Sequence, residues 1–290
     1  MSTVEESYLV GLIGSGVLVS LTPPLHEHEA DALGLRYLYR PLDLDTIGRT
    51  PAQIAELLAA GAALGYNGFN ITHPCKQEVV QHLDELSPAA TAIGAANTVL
   101  IRESRLRGDN TDVSGFAAAM SSGLPGADLK SVVLLGAGGA GAAVSHALLS
   151  SGVKQLVIVD IDQPRAEQRV AEMAAQFPEA TLVASVPDEL PALLPGASGL
   201  VNATYTGMHN HPGMPVPVDL LRPDLWVADI VYRPIVTELV AAASALGCAV
   251  LDGGYMATAQ AADTFRLITG IEPDRDRMRA HFLQLIAQGR

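Results

Sequence analysis

The stretch Ser131-Val-Val-Leu-Leu-Gly136-Ala-Gly138-Gly-Ala-Gly141, followed by an Ala/Leu-rich run and then Leu156-Val-Ile-Val-Asp160, decides the fold of this chain. Read in order, it predicts a strand, a tight turn, a helix, a second strand and a terminal acid. The spacing Gly136, Gly138, Gly141, with Asp160 lying 24 residues beyond Gly136, fits the fingerprint of a dinucleotide-binding βαβ unit. Each position has a physical task. Gly136 permits the tight turn, Gly138 lets backbone approach a pyrophosphate, and Gly141 lets the helix pack closely on the strand. The intervening Ala137, Gly139 and Ala140 complete a cradle at a helix N-terminus, where the backbone dipole attracts phosphate. A carboxylate at Asp160 accepts both ribose hydroxyls of NAD and repels the 2′-phosphate of NADP. Arg165, five residues on, offers a charge that a 2′-phosphate would accept, so the signal is mixed. Asp162 reads as the N-cap of the next helix, with Pro164 in its first turn.

Working outward, 290 residues suggest about two domains. A hydrophobic share of 49% and a charged share of 17% describe a soluble globular chain with ample core. No apolar run is long enough for a membrane span. The N-terminus MSTVEESYLV lacks a signal-peptide pattern, so the expected location is the cytoplasm. Cys75 and Cys248 form no CxxC pair, and His26/His28 and His209/His211 are too close for the usual helical metal pairs, so no metal is expected. The net charge of −13 repels nucleic acid.

Before the glycine unit, strands are expected at Tyr8–Ile13, Leu35–Leu42, Gly68–Thr72 and Ala96–Ile101. Helices are expected at Pro23–Leu33, Thr50–Leu64, Lys76–Leu86 and from Asp112 onward. Ser121–Gly126 reads as a junction. Beyond Asp160 the alternation continues to a last strand at Ala249–Leu251, completing a doubly wound Rossmann sheet. The helical tail, Ala257–Ile268 and Asp274–Ala287, has no strand partner and is expected to fold back on the first domain. The expected fold class is α/β, an N-terminal α/β substrate domain plus a doubly wound dinucleotide-binding domain. The first spans 1–113 and 256–290, and the second spans 114–255.

Polar residues gather at the predicted strand ends of the first domain: Asn70-Ile-Thr72-His-Pro-Cys-Lys76, Ala96-Asn97-Thr98 and Gly108-Asp-Asn-Thr-Asp112. A Lys and an Asp on facing segments can hold an alcohol and relay its proton while hydride leaves carbon. Loop capping accounts for the same residues equally well.

Over nearly its whole length the chain resembles the shikimate/quinate dehydrogenase family. The resemblance rests on Ser20-Leu-Thr22-Pro, the three segments just quoted, Gly94-Ala-Ala-Asn97-Thr98, Gly136-Ala-Gly-Gly, Asn202-Ala-Thr204, and Met256 to Gln260. It implies a two-domain oxidoreductase with Lys76 and Asp112 as the catalytic pair. Ser20 and Thr22 would bind a substrate carboxylate, and Thr72, Asn97 and Gln260 the ring hydroxyls, with Tyr232 nearby. Asn202, Ala203, Thr204 and Met256 would lie along the cofactor. The biosynthetic NADP enzymes resemble Ser-x-Ser where this chain has Thr22, and Asn-Arg-Thr where it has Asp160-Ile-Asp162. Both departures resemble the NAD-dependent branch, so NAD is the expected cofactor and quinate and shikimate the expected substrates. Tyr205-Thr206 departs from the usual Pro-Met or Ser-Ser, and Cys75 stands where an aromatic residue is common. Cys75 is expected to be neutral and to pack. The competing readings are a biosynthetic NADP-dependent shikimate dehydrogenase, an aminoshikimate dehydrogenase, and a non-catalytic NAD-dependent regulator. Small molecules are the expected partners, with a homodimer left open.

Overall fold

The structure, a computed structural model, describes residues 7–103 and 105–289. The chain divides into two compact units, Met1–Thr111 with Gln260–Arg290, and Asp112–Ala259.

The first unit is built on β1 (Ser7–Gly14), α1 (Thr22–Ala32), β2 (Arg36–Asp43), α2 (Leu44–Ile47), α3 (Ile54–Ala63), β3 (Gly68–Ile71), α4 (Cys75–Glu78), β4 (Glu85–Leu86), α5 (Pro88–Ile93), β5 (Thr98–Arg102) and β6 (Arg105–Asp109). The six strands form one sheet in the order β2-β1-β3-β5-β6-β4. Both faces of β1 are covered, which is why it reads as a continuous apolar run. Val10 and Leu12 pack with Tyr37, Tyr39 and Phe265. Ile13 packs on the opposite face with Leu58, Phe69 and Val99.

One expectation fails in this unit. The segment Lys76–Leu86 is not one helix. It makes the single turn α4, a 3₁₀ turn at Val79–His82, and then β4, which pairs in parallel with β6. The Asp84 N–H bonds the Leu106 carbonyl at 2.8 Å, and the Leu106 N–H bonds the Asp84 carboxylate at 2.7 Å. The first of these satisfies a backbone N–H that a longer helix would have paired internally. The polar segment at Arg105–Asp109 is a strand antiparallel to β5, and β5 is antiparallel to β3, so the sheet is mixed.

The second unit follows through α6 (Thr111–Gly123), β7 (Ser131–Leu135), α7 (Gly139–Ser150), β8 (Gln155–Val159), α8 (Gln163–Ala174), β9 (Thr181–Ser185), α9 (Leu190–Leu193), β10 (Gly199–Asn202), β11 (Trp226–Asp229), α10 (Glu238–Ala245) and β12 (Val250–Leu251). Its strands lie in the order β12-β11-β10-β7-β8-β9, all parallel. The order reverses about β7, the doubly wound arrangement that the sequence predicts. Asp162 caps α8 as expected, accepting the Arg165 N–H at 3.4 Å.

Helix α11 (Gly253–Thr269) and helix α12 (Arg275–Ala287) complete the chain. The tail from Gln260 onward belongs to the first unit. Its anchor is Glu29 on α1, whose side chain is fully buried. Glu29 accepts the Asp274 N–H at 2.8 Å and a fork from Arg277 at 2.7 and 2.8 Å. Among the described residues no helix is long and apolar enough to cross a membrane.

His26 on α1 is fully buried against Tyr37, Tyr39 and Phe265, with Nδ1 2.8 Å from the Tyr37 hydroxyl. Burial pushes its pKa from 6.5 down to about 3, only partly offset by the Ala261 carbonyl. The unfolded chain therefore binds a proton below pH 6.5 that the folded chain refuses until about pH 3. This contribution to stability is complete above pH 6.5 and declines on acidification, by up to about 1.4 kcal/mol per pH unit. Denaturant unfolding at pH 7, 6, 5 and 4 should show this decline, and His26→Phe should flatten it. An unchanged slope in the variant would assign the acid sensitivity elsewhere.

Candidate active site

In the second unit, three loops converge at the carboxyl ends of β7, β8 and β10, where ligands collect in open parallel sheets. Gly136 adopts φ 97°, a left-handed conformation. A Cβ on Gly136 would come within 2.8 Å of the Ala203 carbonyl, and one on Gly141 within 2.0 Å of the Gly136 carbonyl. Both glycines are required by close approach inside the protein. Gly138 and Gly139 differ, since a Cβ on either would meet nothing within 4 Å. The turn is thus open above the N-terminus of α7, as a pyrophosphate needs.

Asp160 anchors this turn. Its Oδ2 accepts the Ala137 N–H at 2.7 Å and Arg165 Nε at 3.1 Å. Its Oδ1 accepts the Asp162 N–H at 2.9 Å and an Arg165 terminal nitrogen at 2.5 Å. Burial opposes ionisation of Asp160, but the Arg165 fork and the two N–H groups outweigh it and hold the carboxyl below the usual carboxylate range. The third loop is built by Asn202, which is fully buried. Its Nδ2 reaches Asp229 and the Thr206 carbonyl, both at 3.0 Å, while its Oδ1 accepts the Thr204 N–H and hydroxyl at 3.1 and 2.7 Å. Burial raises the pKa of Asp229 despite its bonds from Thr237, the Val231 N–H and Asn202. Asn202 therefore shapes the loop from inside, and Ala203 to Tyr205 form its outer run. Met256 is buried and Tyr232 half-buried in this unit.

In the first unit the predicted polar residues meet at the ends of β3 and β5. The Ala96 N–H bonds the Lys76 carbonyl at 2.8 Å, so Lys76 and Asn97 lie on adjoining backbone. Thr72 follows β3, its N–H bonded to Ile13 at 2.9 Å. Asn97 is held on several sides. Its Oδ1 accepts the Thr111 N–H at 2.8 Å and the Thr98 hydroxyl at 3.0 Å, and its Nδ2 donates to the Thr111 hydroxyl at 2.9 Å. The Thr264 hydroxyl lies 3.0 Å from those of both Thr98 and Thr111. Asn70 Nδ2 bonds the Asn97 carbonyl at 3.2 Å, and its Oδ1 accepts from Tyr39. Apart from the Thr264 spacing from Gln260, one helical turn, Tyr39 and Thr264 carry no mark in the sequence that would single them out, whereas Thr98 lies in the polar strand-end run. The cluster is assembled by three separate elements.

Near the start of α1, the Ser20 hydroxyl accepts the Thr22 N–H at 3.2 Å. Thr22 is the first helical residue and not the cap, and its hydroxyl makes no hydrogen bond among the described residues. Cys75 is fully buried, and burial, with the Glu78 charge, pushes its thiol up to about 11. It is neutral and packs, as expected. Asp112 opens the first turn of α6 in the second unit, next in sequence to Thr111, and Gln260 lies on α11 in the first.

An open glycine turn at a helix N-terminus, with an acid at the tip of the next strand of a doubly wound sheet, defines a dinucleotide-binding enzyme. Residues 12–99 match the shikimate dehydrogenase substrate binding domain. The chain is 58% identical over 287 residues to a shikimate dehydrogenase (NADP(+)) of Pseudarthrobacter chlorophenolicus, covering 99% of this chain and 98% of that one. It is 46% identical over 283 residues to a quinate/shikimate dehydrogenase (NAD(+)) of Corynebacterium glutamicum, covering 97% and 100%. The solved quinate dehydrogenase of Corynebacterium glutamicum in complex with NAD superimposes with a TM-score of 0.91 at 46% identity, covering 96% and 99%. The chain belongs to the shikimate dehydrogenase family and is a shikimate/quinate dehydrogenase-type oxidoreductase that uses a nicotinamide dinucleotide.

Thr264→Val keeps the shape of the buried side chain and removes its hydroxyl. It should lower the unfolding free energy by about 1–2 kcal/mol, because Thr98 and Thr111 lose a shared partner. Equilibrium denaturation checks this, and a loss below a few tenths of a kcal/mol would mean the cluster rearranges without cost.

Proposed function

We propose that the protein is an NAD-preferring dehydrogenase that interconverts quinate with 3-dehydroquinate and shikimate with 3-dehydroshikimate. The observation supporting NAD is Asp160, a carboxylate kept ionised at the tip of β8 and bonded to the glycine turn itself. Ribose hydroxyls donate favourably to such a group once they replace the Arg165 nitrogens on it, whereas a 2′-phosphate is repelled. The second reading, an NADP-dependent shikimate dehydrogenase working in the reductive direction, is favoured by Arg165 and by the name of the 58% relative. Arg165 is 46% exposed and could turn toward a phosphate. Doing so would strip Asp160 of its counter-charge while placing a dianion beside it. Electrostatics therefore favours the first reading.

In this proposal the first unit binds substrate and the second binds the cofactor through Gly136–Gly141, Asp160, Arg165, Asn202–Thr204 and Met256. The bound nicotinamide supplies the hydride acceptor. Lys76 takes the proton of the reacting ring alcohol, and Asp112 orients Lys76 and accepts from the same hydroxyl. Ser20 and Thr22 hold the carboxylate through their hydroxyls, and the Thr22 hydroxyl makes no hydrogen bond among the described residues. Thr72, Asn97 and Gln260 hold the remaining hydroxyls, with Tyr232 beside them. The Thr98–Thr111–Thr264 cluster then fixes Asn97 before substrate arrives, which lowers the ordering cost of binding.

A matrix of quinate and shikimate with NAD and NADP tests the reading, and kcat/KM should favour NAD with both substrates. Asp160→Asn keeps an acceptor for the Ala137 N–H but removes the charge, and should narrow the preference by roughly tenfold. Equal efficiency of the parent enzyme with both cofactors would remove Asp160 as the discriminator. Lys76→Ala should lower kcat at least ~10²-fold, the lower range for a positioned acid–base group. Asp112→Asn should slow turnover in a way that is not additive with it. Near-normal turnover of Lys76→Ala between pH 7 and 9, or strict additivity, would count against the pair.

A further inference from the structure

Tyr205 is the residue that neither the fold nor the proposed chemistry uses. It follows Thr204 in the loop after β10, and its side chain is 66% exposed. The loop does not need that side chain. Asn202 holds the loop from inside, the Thr206 N–H bonds the Thr204 hydroxyl at 3.1 Å, and the Met208 N–H bonds the Tyr205 carbonyl at 3.1 Å. The phenol makes no hydrogen bond among the described residues. Its aromatic neighbour there is His211, tilted by 42° at a centroid distance of 6.1 Å.

The position of this ring is informative. In the sheet order β10-β7-β8, the loops after β10 and β8 flank the glycine turn after β7. Both touch that turn, one through Ala203 and Thr204 against Gly136, the other through Asp160 on the Ala137 N–H. The β8 loop also carries Ile161, whose side chain is 86% exposed. Two large apolar side chains thus stand uncovered beside the phosphate turn, one of them aromatic and on a loop already fixed by its own hydrogen bonds. Such a surface suits a planar, uncharged heteroaromatic ring attached to the phosphates.

We propose that Tyr205 is the platform on which the adenine ring of the dinucleotide stacks. This rests on the nicotinamide-dinucleotide reading of the site and makes Tyr205 a binding determinant that is independent of the 2′ position. Stacking needs the face of the ring and not its hydroxyl, and the fixed loop lets it form with little ordering cost.

Calorimetric titration of the protein with NAD, and separately with ADP-ribose, which keeps the adenine and pyrophosphate and lacks only the nicotinamide, tests the assignment. Tyr205→Ala should raise Kd for both ligands by the same factor, about 5- to 100-fold, the range for loss of a base–aromatic stack. Tyr205→Phe and Tyr205→Trp should stay within about twofold of the parent, because each keeps an aromatic face. His211→Ala should also stay within about twofold, since the loop is held by Asn202 and Thr204. Unchanged ADP-ribose affinity in Tyr205→Ala overturns the proposal. So does a loss in Tyr205→Phe equal to that in Tyr205→Ala, which would assign the effect to the hydroxyl. A loss of the same size in His211→Ala also overturns it, by assigning the effect to loop packing. A parent protein that binds neither NAD nor NADP would instead overturn the cofactor reading itself.

Discussion

The carboxylate of Asp160 is the interaction on which the second unit depends. Four donors converge on it, from the glycine turn, from its own loop and from two nitrogens of one guanidinium. A buried charge is tolerable only when its lone pairs are filled in this way. The consequence is mechanical as well as electrostatic. Strand β8, the turn after β7 and the first turn of α8 are tied to one group, so the open backbone at Gly138 and Gly139 is held in place before any ligand arrives. A residue read from the sequence as a ribose acceptor is therefore also the clamp of the turn that would take the pyrophosphate.

The first unit solves a related problem with neutral groups. Asn70, Asn97, Thr98, Thr111 and Thr264 come from β3, the residue before β5, β5 itself, α6 and α11, and they satisfy one another where they are buried. The bond from the Thr111 N–H fixes the amide orientation of Asn97, because a backbone N–H requires the oxygen. The returning tail matters here because Thr264 lies on it. Glu29, by holding Asp274 and Arg277, ties α12 to α1.

The sequence by itself determined the second unit almost completely. Most of its strands are short parallel runs buried on both faces, its helices carry local caps such as Asp162 and Thr237, and Gly141 meets the Gly136 carbonyl within the same turn. Each of those signals acts within a few residues, so each is legible without knowing the partner. It also singled out Asn97, Thr72 and Lys76 as candidates for the chemistry, because Asn, Thr and Lys at strand ends are informative types. Only the tertiary structure decided the rest of the first unit. Lys76–Leu86 has apolar spacing that suits a helix, yet backbone bonds to β6 turn its end into a strand. The polar run Arg105–Asp109 becomes a strand because β5 supplies its ladder. The roles of Thr264 and Tyr39 are set by neighbours far away in sequence, and a hydroxyl carries no mark of the partner it will find. Pairing between distant segments is a property of the folded chain, and local residue chemistry encodes only the capacity for it.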